Sequence, residues 1–134
     1  MNLLLDTNIF LEVLLGQDNA ESATQVLKNS GKHVLYISDF SLHSIGVLLF
    51  RRQLSGAYLA FVGDIDTIGI RVRSLRYQDH IALAEAAVNF RLDFDDAYQY
   101  EVARRFDLTI VSFDSDFKRT DRGYIPPDEV SQSV

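Results

Sequence analysis

Leu3-Leu4-Leu5-Asp6-Thr7-Asn8 is the stretch from which the fold is read. A short apolar run stops abruptly at a carboxylate, Thr7 and Asn8 are good helix-capping residues, and Ile9, Phe10, Val13 and Leu14 follow at helical spacing. The reading is strand, turn, helix. A second helix fits Ala20–Lys28, closed by Ser30-Gly31, and Val34–Ile37 reads as a buried strand leading into Ser38-Asp39 and a strongly apolar helix over Phe40–Arg52. Gly56–Val62 is a further helix, and Ile68–Val72 alternates with polar residues like a half-exposed strand at a sheet edge. His80–Phe90 and Asp96–Phe106 are helical, the second through Tyr98, Val102 and Phe106 at four-residue steps. Leu108–Val111 is a β-branched strand ending at Ser112-Phe113-Asp114-Ser115-Asp116, and a last short strand is expected around Tyr124-Ile125. Strands alternating with helices predict an α/β fold of three layers, α/β/α, with a mostly parallel sheet flanked by helices.

The chain has 134 residues, enough for one domain with its own core. Pro126-Pro127 marks its expected end, giving a single domain over 1–127 and a short C-terminal tail over 128–134. There is no apolar run long enough to span a bilayer, and Met1 leads into Asp6 without a basic region or cleavage site, so the expected location is the cytoplasm, away from any membrane. Without cysteine, disulfide frameworks and thiolate zinc sites are both excluded, and any metal must sit on oxygen or on His33, His43 or His80. The net charge of -6, spread evenly over the two halves, argues against broad affinity for nucleic acid but leaves room for a local basic strip.

Parallel sheets of this kind bind ligands off the carboxyl ends of their strands. Asp6 and the Asp114/Asp116 pair each follow a predicted strand, so the fold brings them to one edge. Singly, each acid has a plain explanation. Asp6 can cap a helix, Asp96 is a first-turn acid favoured by the helix dipole, and Asp114 and Asp116 are ordinary turn residues. Together, like charges at one sheet end raise one another's pKa and destabilise the fold unless a cation neutralises them. Mg2+ or Mn2+ suits such an oxygen donor set, and such sites hydrolyse phosphodiesters.

These residues resemble a known family. Leu5-Asp6-Thr7-Asn8, then Asp96-Ala97 opening a helix, then Ser112-x-Asp114-x-Asp116-Phe117 after a strand, resemble the PIN domains, particularly the VapC-type toxins of toxin–antitoxin pairs, over nearly the whole chain. The resemblance implies a metal-dependent endoribonuclease that cleaves RNA, frequently a homodimer, and blocked by a small antitoxin protein. It assigns Asp6, Asp96 and Asp114 as catalytic metal-binding acids, Asp116 as a more variable fourth, and Ser112 as the hydroxyl that supports them. Asp95 competes with Asp96, but the family pattern sets its acid directly before Ala, as Asp96 stands before Ala97.

One position departs. PIN nucleases usually carry a Glu early in the helix after the second strand, and by that register Ser44 stands in its place. Asp39 is expected to cap that helix, and His43, beside the vacancy, is an accessory candidate as metal ligand, phosphate contact or proton carrier. Lys118, Arg119 and Arg122, just beyond Asp116, are candidate RNA phosphate contacts. Haloacid-dehalogenase-like phosphatases also place Asp after the first strand but need Asp-x-Asp, and Asn8 occupies the second acid's position. The remaining rival is a PIN-fold RNA- or protein-binding module that lost catalysis with its Glu.

Overall fold

The computed structural model of the chain describes residues 1–132. Four strands, β1 (Asn2–Leu5), β2 (Val34–Ser38), β3 (Arg71–Arg73) and β4 (Thr109–Val111), form one sheet in the order β3-β2-β1-β4, every pair parallel. β1 is central, with Leu3 registered against Leu35 on one side and Thr109 on the other. Side chains alternate across a strand. Leu3 and Leu5 therefore enter one hydrophobic core and Leu4 enters the other, all three fully buried. This is why the run can be continuously apolar.

The first core is closed by α1 (Thr7–Leu14), α2 (Ala20–Lys28), α3 (Asp39–Arg51) and α4 (Ser55–Ile68), through residues such as Phe10, Val26, Leu49 and Phe61. The second is closed by α5 (His80–Phe90) and α6 (Phe94–Phe106), through Leu83, Ala97, Val102 and others. The three-layer arrangement is the one the sequence predicts.

Boundaries differ in instructive places. α4 runs on past Val62 to Ile68, because Phe61 and Ile65, one turn apart, keep its inner face buried. It ends at Gly69, whose φ of 86° is the left-handed conformation glycine takes without a Cβ clash. β3 accordingly shrinks to Arg71–Arg73, but it is the sheet edge, with Arg71 and Val72 exposed. The strand expected at Tyr124-Ile125 is a single parallel bridge from Ile125 to Val111. Residue 127, expected as the domain's end, is the first residue of α7 (Pro127–Gln132), and Val130 is buried in the first core, so packed structure continues into the segment taken as a tail. Among the described residues no helix is long and apolar enough to cross a membrane.

Candidate metal centre

The carboxyl ends of β1, β2 and β4 open onto a cleft of about 270 Å³ whose lining includes Asp6, Asn8, Ser44, Asp93, Asp96 and Asp114. Asp6 closes β1 and caps α1, its Oδ1 accepting from the Thr7 backbone N at 2.8 Å. The same oxygen accepts from Gln99 Nε2 at 3.0 Å, and Oδ2 accepts from the Ser112 hydroxyl at 2.7 Å. Asp6 is thus buried and held on three sides. Burial drives its pKa up, the bonds from Ser112, Gln99 and Thr7 pull it back, and the charge of Asp114 adds to the rise.

Ser112, the buried hydroxyl after β4, joins the pieces. Its Oγ donates to Asp6 and accepts from Asn8 Nδ2 at 3.1 Å and from the Asp114 backbone N at 2.9 Å. That explains why Thr-Asn after the first strand and Ser-x-Asp after the last occur together: Asn8 and Ser112 tie the two turns to each other. Asp114 then caps the 3₁₀ helix Ser115–Arg119, its Oδ1 accepting from the Asp116 backbone N at 2.8 Å.

Asp96 approaches from α6, one turn in from the cap Asp93, whose Oδ1 accepts from the Asp96 backbone N at 2.9 Å. The Asp96 side chain is buried, and among the described residues it accepts no hydrogen bond. Its pKa is pushed up to about 7, first by burial and then by the charges of Asp93, Asp114, Asp6 and Asp116. One carboxylate oxygen each from Asp96, Asp114 and Asp116 lie within 4.8 Å of one another. Three hard oxygen donors converging at the edge of an open cleft, one of them a largely buried carboxylate that accepts no hydrogen bond, fit a divalent cation. Asp116, expected as auxiliary, belongs to this set; Asp6 lies outside the three but lines the same cleft, its oxygens accepting from Gln99, Thr7 and Ser112.

Gln99 is the residue that sequence reasoning missed. It is 1% exposed, and Nε2 donates to both Asp6 and Ser41 Oγ, the latter at 2.8 Å. Ser41 also shares a hydrogen bond with Thr7 Oγ1 at 2.7 Å, completing a polar layer beneath the cleft.

Ser44 lines the cleft, so the position expected to hold Glu does face the carboxylates. Neighbouring residues on a helix point about 100° apart, and His43 accordingly is exposed and outside the cleft lining, not directed at the site as an accessory group. Asp39 does not cap α3. Ser38 is the N-cap, and Asp39, the first residue of the helix, accepts from the Phe40 backbone N at 2.8 Å and from the Tyr98 hydroxyl at 2.6 Å. Arg119 is held by Asp116 at 3.2 Å and by the carbonyls of Phe90 and Arg91, and Arg122 by Asp107 and the carbonyl of Leu108, while Lys118 is exposed.

A family model, the PIN domain, matches residues 3–123. No curated protein matches the chain. Solved structures share its fold at low sequence identity. A toxin–antitoxin complex from Klebsiella pneumoniae is 17% identical with a TM-score of 0.72, over 92% of this chain and 96% of that one. VapBC2 from Rickettsia felis, bound to a DNA fragment from its promoter, is 16% identical with a TM-score of 0.75, over 94% and 97%. The sarcin–ricin-loop-cleaving toxin VapC20 of Mycobacterium tuberculosis is 20% identical with a TM-score of 0.70, over 87% and 92%.

Proposed function

The chain belongs to the PIN domain family, and from that premise we propose that it is a metal-dependent endoribonuclease that hydrolyses RNA phosphodiesters, the toxin of a type II toxin–antitoxin pair acting in the cytoplasm. The observation that carries the chemistry is the convergence of Asp96, Asp114 and Asp116 in the acidic cleft. These three would hold Mg2+ or Mn2+, with Asp6 behind them. When bound, the cation neutralises charge at the phosphoryl oxygens and acidifies water. The protein's own contribution is positional. Ser112 and Gln99 fix the Asp6 carboxylate, Ser112 fixes the turn that presents Asp114, and the Asp93 cap fixes the first turn of α6 that presents Asp96. Asp96, its pKa pushed up to about 7, would give up its proton on holding that cation.

An antitoxin partner is supported by the neighbours, one of which is a toxin–antitoxin complex. The surface of α3 and α4 supports a protein contact of this kind, whether with antitoxin or in a homodimer, since Val47, Phe50 and Leu59 are at least half exposed there. A binding module without catalysis is the second reading, favoured by Ser44, which brings no carboxylate to the cleft.

RNA cleavage with Mg2+ or Mn2+ separates the two. Wild type is expected to cleave, and Asp6→Asn and Asp114→Asn to lower the rate by about a hundredfold or more, the scale on which metal-site support is lost. Equal rates in wild type and both variants would sink the nuclease assignment.

A further inference from the structure

Phe94, the first residue of α6, stands between Asp93 and Asp95, both of which line the cleft, yet half of its surface is in water (50% exposed). Its ring is not loose. It packs against Phe40, itself a cleft residue, with centroids 5.7 Å apart, against Tyr98 at 6.2 Å, and lies nearly parallel to His80 at 6.4 Å with 28° between planes. Tyr98 anchors the group from beneath, donating to Asp39 at 2.6 Å and accepting from the Leu75 backbone N at 3.2 Å. Flanked in sequence by Asp93 and Asp95 and packed on Phe40, all three of which line the cleft, the half-exposed Phe94 ring is fixed beside the acidic cleft, outside its lining.

The surrounding charge says what such a surface is for. An acidic cleft in a chain of net charge -6 repels a polyanion, and the nearby cations do little to offset this. Arg119 and Arg122 are bound to carboxylates and backbone carbonyls, which leaves Lys118 of that cluster. Grip on a nucleic acid strand then needs contacts beyond phosphate neutralisation. Aromatic faces supply them, because unstacked bases of single-stranded RNA stack on aromatic side chains whatever their sequence. A preformed ring loses little freedom on binding.

We propose that Phe94, backed by Phe40, Tyr98 and His80, is a stacking platform for an RNA base next to the phosphate held in the cleft. This rests on the nuclease reading above and adds a substrate-positioning residue to it. The platform orients the strand by seating one base, so that the adjoining phosphodiester lies against Asp96 and Asp114.

The test titrates the full chain, in Mg2+, into short single-stranded RNAs carrying the fluorescent base 2-aminopurine at successive positions. Wild type and Phe94→Trp should quench one position strongly, whereas Phe94→Ala and Phe94→Leu should lose that quench and bind about 5- to 150-fold more weakly, the range for one stacked base. Removing the base at that position should weaken wild type and leave Phe94→Ala unaffected. Thermal unfolding of the variants checks that each is folded, and Phe94→Leu preserves the apolar contact if Phe94→Ala is not. Unchanged affinity and quenching in Phe94→Leu would overturn the platform. If wild type still cleaves RNA in that case, the platform alone falls; if wild type neither binds nor cleaves, the nuclease reading falls and takes the platform with it. A Phe94→Leu chain that changes oligomeric state but not RNA affinity would assign the ring to a protein contact and likewise overturn the proposal.

Discussion

Asp96 illustrates what a single residue can and cannot reveal in sequence. Its place before Ala97 marks it as the helix-borne acid, but its pKa of about 7 arises from burial, from the cap Asp93 three residues before it, and from Asp114, Asp6 and Asp116 on turns distant in sequence. The sign of the consequence follows from linkage. An unfolded Asp titrates near 3.8, so between there and about 7 the folded chain binds the additional proton, and stability falls as pH rises through that window. Metal-free Asp96→Asn should therefore be more stable than wild type at about pH 8, with a flatter profile between about pH 4 and 7. Mg2+ should restore stability to wild type and not to the variant. His33, whose pKa burial lowers, contributes a slope of the opposite sign, and subtracting the variant's profile from that of wild type removes it. Thermal unfolding profiles that run parallel would contradict this. Gln99 shows the opposite limit of legibility. A neutral amide within a helical pattern carries no mark of its partners, Asp6 and Ser41, which lie 93 and 58 residues away in the chain.

At the scale of elements, the sequence is most legible where burial dictates composition. Leu3–Leu5 and Val34–Ile37 are strands buried on their faces, and their apolar runs say so. It is least legible where an element is held from one side only. In α4, Gly63 and Asp64 look like a stop, but they face outward, and a surface glycine costs a helix only about 1 kcal/mol, less than the burial of Phe61 and Ile65 returns. In the basic cluster after Asp116, charge alone does not distinguish a phosphate contact from a brace. Arg119 closes the end of α5 by donating to the carbonyls of Phe90 and Arg91. Arg119→Ala should thus destabilise the fold by about 1 kcal/mol, whereas Lys118→Ala should leave stability unchanged and weaken RNA binding with a shallower salt dependence. Denaturant unfolding and binding titrations at several salt concentrations check the pair. The reverse assignment, in which Lys118 bears on stability and Arg119 on the salt slope, would refute it.

Across the whole molecule, the topology does the assembling. Parallel strands in the order β3-β2-β1-β4 deliver Asp6 and Asp114 from adjacent strand ends, and α6 brings Asp96 over them. That gathering was predictable from the alternation of strands and helices. Which acids come closest was not, because it depends on hydrogen bonds that draw Asp6 back toward Ser112 and Gln99 and leave Asp116 with Asp96 and Asp114. Whether these three carboxylates hold a divalent cation is read by calorimetric titration of the full chain with Mn2+. At pH 7 a group titrating near 7 is about half protonated, so binding should release about half a proton, seen as heat that varies with the ionisation enthalpy of the buffer. Saturable binding with that release, weakened about tenfold or more in Asp114→Asn, is the predicted result; no saturable heat in wild type, or equal affinity in Asp114→Asn, would contradict it.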